Sequence, residues 1–206
     1  MGERFLSAAI YHDDTSPDIS IEPALLGIEI VNTITPWIRI EQDMRSQRVG
    51  RHNLDYISGD TVRWPRFNAD LNIVLTTRRL VSDEDVQSDG RLNYKKLAYK
   101  DHLVGLAFSA DRVNSKRVAL VDISSIKRPE HIVAHELGHL LGIKGPIDDN
   151  LHCDSKRCLM SPMQFPYGKA DRTFCECCRE QLHDNSLKLR KAKSGIIAVA
   201  KNAKIF

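Results

Sequence analysis

The 206-residue sequence predicts one α+β domain built on a mixed sheet, and three observations carry that reading. The hydrophobic period switches repeatedly between that of strands and that of helices through the first two thirds of the chain. The composition, 42% hydrophobic and 28% charged, is that of a globular protein, and the length buries a core without a second domain. All five cysteines fall in the last third, among turn-rich stretches, which marks off a loop-rich lower part. The expected layout is one domain over 1–206, with an upper part over about 1–142 and a lower part over about 143–206.

In chain order, residues 6–11 alternate or run apolar like a strand, and 19–33 space Ile21, Leu25, Ile28 and Val31 or Asn32 as a helix does, with Pro23 tolerable only in its first turn. Residues 37–41 alternate, 70–76 form a core strand, and 103–108 and 117–122 are two more, giving about five strands. Residues 49–67 and 83–100 read as irregular. A helix begins at Pro129, with Ser124 or Ser125 as candidate caps, and 175–193 forms a last helix with Leu182 and Leu189 inward.

A net charge of +3, evenly spread apart from the carboxyl tail, excludes a nucleic-acid partner. The apolar run near Met1 is short and soon meets Asp13 and Asp14, so neither a secretory signal nor a membrane segment is expected. Leu6 spoils a myristoylation signature. The expectation is a cytoplasmic monomer. Four of the cysteines form C-x4-C and C-x-x-C pairs, which suit metal ligation in a reducing compartment better than disulfides.

On the helix from Pro129, His135 and His139 stand four residues apart and present two imidazoles on one face, half of a zinc site. Glu136 lies about 100° further round, outside the metal's reach and where a general base would sit. These few residues alone occur by chance in ordinary helices. Gly142 is where the helix should stop and the chain turn back. The extended zincin signature places a third histidine at position 145, but that position is glycine. His131 is too far from His139, about 12 Å along an unbroken helix, to share its ion. The open contenders for the third ligand are His152, Asp148 and Asp149, of which His152 follows a stretch of turn formers that can loop out.

Taken together, His135, Glu136, His139, Gly142, His152, Cys153, Cys158, Met160, Cys175 and Cys178 resemble, by type and order, the archaemetzincin family of metallopeptidases. Two intervals depart: ten residues rather than three separate Gly142 from Cys153, and fourteen rather than seventeen separate Met160 from Cys175. The resemblance implies a compact metzincin-like zincin with a mostly parallel sheet, an active-site helix and a lower part stapled by zinc. It implies two zinc ions, a catalytic one on His135, His139 and His152 and a structural one on Cys153, Cys158, Cys175 and Cys178. Cys177 is left over, able to replace Cys175 or Cys178. Met160 resembles the methionine turn beneath the catalytic metal, with Met163 as runner-up; Pro162 stands where some relatives carry a tyrosine, a part Tyr167 would fill only weakly.

The implied activity is peptide-bond hydrolysis by a zinc-bound water that Glu136 activates, on a peptide or protein substrate. In such folds an antiparallel edge strand binds the extended substrate, and 103–108 is the candidate. The alternative is a catalytically silent zinc-binding scaffold or interaction protein of the same fold. An intact Glu136 favours the enzyme, whereas the inserted residues 143–151 bear on whether the site is open. A redox role for the cysteines would need an exposed thiol pair.

Overall fold

The computed structural model describes residues 5–15, 18–47, 49, 54–58, 67–81, 86–87, 91–92, 105–108, 117–124, 128–143, 152–161 and 172–202. A five-stranded sheet runs through them in the order β2-β1-β4-β7-β6. Its strands are β1 (Leu6–Asp13), β2 (Ile38–Gln47), β4 (Leu71–Thr76), β6 (Gly105–Phe108) and β7 (Arg117–Asp122). β1 pairs in parallel with β2 and β4, and β4 with β7; β6 alone is antiparallel, on the edge beside β7. The mixed, mostly parallel sheet expected from the sequence is therefore present. A separate two-stranded sheet joins β3 (Tyr56–Ile57), inside the stretch 49–67 read as irregular, to β5 (Arg79–Leu80), which lies just beyond the core strand 70–76.

The central strands are apolar almost without interruption because both faces of the sheet are covered. One face packs against α1 (Glu22–Asn32) and α2 (Pro129–Leu140), with Ile10, Ile73, Val121, Ile28 and Leu137 in the shared core. The opposite face buries Tyr11, Val74, Leu120, Ile57 and Phe67. In α1 the buried residues Ala24, Gly27, Ile28 and Val31 form one helical stripe, and Pro23 occupies the first turn, where its missing N–H costs nothing. Gly27 lets the two helices meet closely: a Cβ there would lie 2.6 Å from Cβ of Val133 on α2.

At the carboxyl ends of β1 and β4, the buried Asp13 accepts bonds at one oxygen from Nε of Arg78 at 2.6 Å and from the hydroxyls of Thr15 and Thr76. Burial alone would raise the Asp13 carboxyl, but Arg78 and Thr15 outweigh it and hold it below the usual range.

α3 (Glu176–Asn202) runs past the expected end at 193. Its inner stripe is Cys178, Leu182 and Ser186, with Leu189 half-buried beside it. Trp37, immediately before β2, meets the His183 ring at 5.4 Å and the Arg190 guanidinium at 5.5 Å, fastening α3 beside the sheet. The expected serine cap of α2 is not found: Arg128 holds the cap position and makes no side-chain capping bond to the helix, and Ser124 turns its N–H and hydroxyl to Asp122 instead. Asp122 ends β7, so this local turn competes with capping. Ser125, Asp148, Asp149, Pro162, Met163 and Tyr167 lie outside the described residues, as does most of 83–100. Among the described residues no helix is long and apolar enough to cross a membrane.

Candidate metal centre and active site

α2 is buried on nearly every side, so its polar residues are held rather than solvated: His135 is 4% exposed and Glu136 5%. The helix ends in a motif with two reversed bonds, Gly142 N–H to the His139 carbonyl at 2.9 Å and Ile143 N–H to the Gly138 carbonyl at 3.0 Å. Gly142 takes φ +81°, which a side chain would strain, and Asn185 of α3 donates to its carbonyl at 2.8 Å. The chain is thus turned out of the helix immediately beyond His139, as the sequence implied.

Three imidazoles converge beyond that turn. The His135 and His139 ring centres are 4.6 Å apart, and His152 lies 5.3 and 5.1 Å from them. One ring nitrogen from each falls within 4.8 Å of the others. Nε2 of His135 and Nε2 of His139 are 3.0 Å apart, close to the roughly 3.3 Å between two nitrogens bound tetrahedrally to zinc at about 2.0–2.1 Å. Nδ1 of His135 bonds the Leu159 carbonyl at 2.6 Å. That bond requires the proton on Nδ1 and leaves Nε2 a bare lone pair aimed at the cluster. Burial holds His135 down to about 4, helped by His152 and Arg172 and opposed by Leu159; burial with the other two rings holds His139 down to about 3. Neutral, converging imidazoles are what a zinc ion requires, so this donor set fits one.

Glu136 is not among the converging donors. Its carboxyl lies against β6, and burial raises it to about 8. Met160 is fully buried, and its sulfur packs against the bare backbone of Gly138, which lies between the two histidines in sequence, beside Ile143.

The second cluster brings Cys153, Cys158, Cys175 and Cys178 within 4.8 Å of one another. Sγ of Cys153 and Sγ of Cys175 are 3.6 Å apart, far beyond a disulfide and close to the roughly 3.8 Å between thiolates on tetrahedral zinc at about 2.3 Å. Cys158 accepts N–H bonds from Met160 at 3.4 Å and Cys175 at 3.3 Å, as a metal-bound thiolate does. Burial pushes the Cys158 thiol up to about 11 and Cys178 higher still, since charged sulfurs this crowded need a cation among them. Cys177 stays outside the cluster, exposed.

Residues 158–160 join the two clusters. Cys158 supplies a thiol, Leu159 offers its carbonyl to His135 and its N–H to the Thr173 carbonyl at 3.0 Å, and Met160 accepts the Cys153 N–H at 2.7 Å. Sequence reasoning missed Leu159 because its contribution is main-chain; the signal was its place beside Met160, since a ligating histidine ordinarily spends its second nitrogen on a carbonyl or carboxylate. Arg172, whose charge reaches His135, was also missed.

A profile of the reprolysin (M12B) family of zinc metalloproteases matches residues 92–193. Among solved structures, the fold is similar to archaemetzincin from Methanopyrus kandleri, at 17% identity over 88% of this chain and 95% of that one, with a TM-score of 0.59. It is also similar to archaemetzincin from Archaeoglobus fulgidus, at 13% identity over 85% and 99%, with a TM-score of 0.52. No curated protein matches by sequence. The zinc-metalloprotease profile thus lies over the metal helix and both clusters, and the sheet around them has the fold of the archaemetzincins.

Proposed function

We propose that the chain cleaves peptide bonds with Glu136 as general base and acid, holding one zinc ion on His135, His139 and His152 and a second on Cys153, Cys158, Cys175 and Cys178. The observation that carries this is a buried carboxyl beside three converging imidazoles yet outside their donor set. A zinc ion on the three imidazoles supplies Lewis acidity, polarising the scissile carbonyl and acidifying a neighbouring water. Glu136 takes the proton from that water and hands it to the leaving nitrogen, a task suited to a carboxyl that burial has made more basic. His135 is kept in one tautomer by Leu159, and Met160 keeps the helix from shifting beneath the donors.

The substrate in this reading is an extended peptide added along β6, the edge strand of the sheet among the described residues, whose strand direction and edge position suit main-chain pairing. The chain acts as a monomer without nucleic acid or membrane, and its five free thiols suit the cytoplasm. Glu136→Gln tests the proposal: zinc analysis should give two ions per chain in parent and variant, while hydrolysis of an internally quenched peptide library falls by roughly 10²–10⁴. Undiminished turnover in the variant removes Glu136 from the reaction.

A further inference from the structure

β6 faces the metal helix with its smallest residues. Gly105 pairs with Val121 and Ala107 with Ala119 on the face that α2 covers, whereas Leu106 and Phe108 join the opposite core. At Gly105 an added Cβ would collide with Oε1 of Glu136 and stand 2.6 Å from its Cδ and Cγ. The glycine is not there for backbone freedom, since Gly142 is the positive-φ glycine among the described residues. What the missing side chain leaves is room, and the Glu136 carboxyl occupies it.

We infer that Gly105 is a positioning residue for Glu136: a notch in the edge strand sets where the carboxylate lies relative to the three imidazoles. This deepens the reading of Glu136 as the base and rests on it. The obstructing atoms are the far end of a flexible side chain, so a methyl group at 105 is accommodated by moving the carboxylate rather than the sheet. The strand proposed to carry the substrate then also aims the group that acts on it. Displacement by about 1 Å at a reacting centre costs on the order of 10² in rate.

In zinc-loaded Gly105→Ala, assayed on an internally quenched peptide library, both ions should remain, kcat should fall about 100-fold and KM should stay within about threefold. Glu136→Asp provides the rescue: its carboxylate is one methylene shorter, and in that background Gly105→Ala should cost less than about threefold. A second readout needs no turnover and no metal. In zinc-free protein, Gly105→Ala should lower the thermal midpoint when Glu136 is present and leave it unchanged in Glu136→Ala. An unchanged kcat, an equal loss of kcat in both backgrounds, or equal destabilisation with and without the Glu136 side chain overturns the proposal. If Gly105→Ala does not accumulate with Glu136 intact but does with Glu136→Ala, the notch is confirmed. Turnover that survives Glu136→Gln overturns the base itself, even where the thermal coupling persists.

Discussion

The imidazole cluster takes two of its three donors from one helix, eight of whose twelve residues are buried; the thiol cluster takes Cys153 and Cys158 from irregular chain, Cys175 from the residue just ahead of α3 and Cys178 from its first turn. The helix is positioned by the sheet and by α1, so His135 and His139 are placed by apolar packing. Residues 152–161 form no regular element; a handful of backbone bonds and the sulfurs hold them. The lesson is that, in the proposed reading, the same metal would play two parts. In the thiol cluster it would be a piece of the fold, four donors closing around it; among the imidazoles, three donors would leave a position for chemistry.

Cys158→Ser should break the comparison most severely. The residue that supplies the thiol is bonded through its neighbours to His135 and sits next to Met160, so losing it should empty both clusters and abolish hydrolysis. His139→Ala should lose one ion, keep the thiol-held ion, and unfold within a few degrees of the parent, by about 4 °C or less. Zinc analysis beside thermal unfolding reads both; an imidazole-bound ion that survives in Cys158→Ser shows that the clusters are independent.

A smaller effect sharpens the boundary between them. His152 is the imidazole donor that comes from the irregular part, next to Cys153. His152→Ala should weaken the imidazole-held zinc by more than roughly 100-fold while the thiol cluster stays full. Asp148→Ala and Asp149→Ala should leave both ions. Competition with a chelator measures this, and loss of the weaker ion in an aspartate variant would move the third ligand to that carboxylate.

The variant with the smallest effect on the two metal clusters supplies the background against which acid sensitivity of either cluster is judged. Asp13 has a folded carboxyl value below its unfolded one, so the folded chain holds fewer protons between the two. Its contribution is complete above about pH 4, the unfolded value, and is lost as pH falls through the lower folded value. Asp13→Asn should therefore flatten the stability curve below about pH 4 and lower stability at pH 7 by up to roughly 3 kcal/mol, because Arg78 keeps its charge. Both zinc ions should remain. Urea unfolding across pH checks it, and a curve as steep in the variant as in the parent assigns the acid response elsewhere.

Much of this was legible before any coordinates. His135, Glu136, His139 and Gly142 could be read because helical spacing converts sequence offsets into directions, and the fold class because the five strands of the main sheet alternate or run apolar. The thiol set was legible because cysteine is rare and its pairs close. His152 was readable by its adjacency to Cys153, since the ten residues between Gly142 and Cys153 erase any spacing argument. Leu159 was hidden because any residue carries a carbonyl, and Gly105 because it meets Glu136 across 31 positions of chain. Ser124 misled because a serine ahead of a helix reads as a cap even when a nearer aspartate takes its bonds. α3 outran its expected end because Ser194 and Gly195, weak helix formers, did not stop it.

The bond from His135 to Leu159 also imposes an order in time on the nascent chain. During synthesis the helix with His135 and His139 emerges well before Cys178, the last of the thiols that secure residues 158–160. Until then the histidine should lack its orienting carbonyl, and the emerging chain should be without peptidase activity. Release of the chain with a stop after residue 174 should give a product with no peptidase activity even in excess zinc; measurable cleavage by that fragment would show that the helix is competent alone.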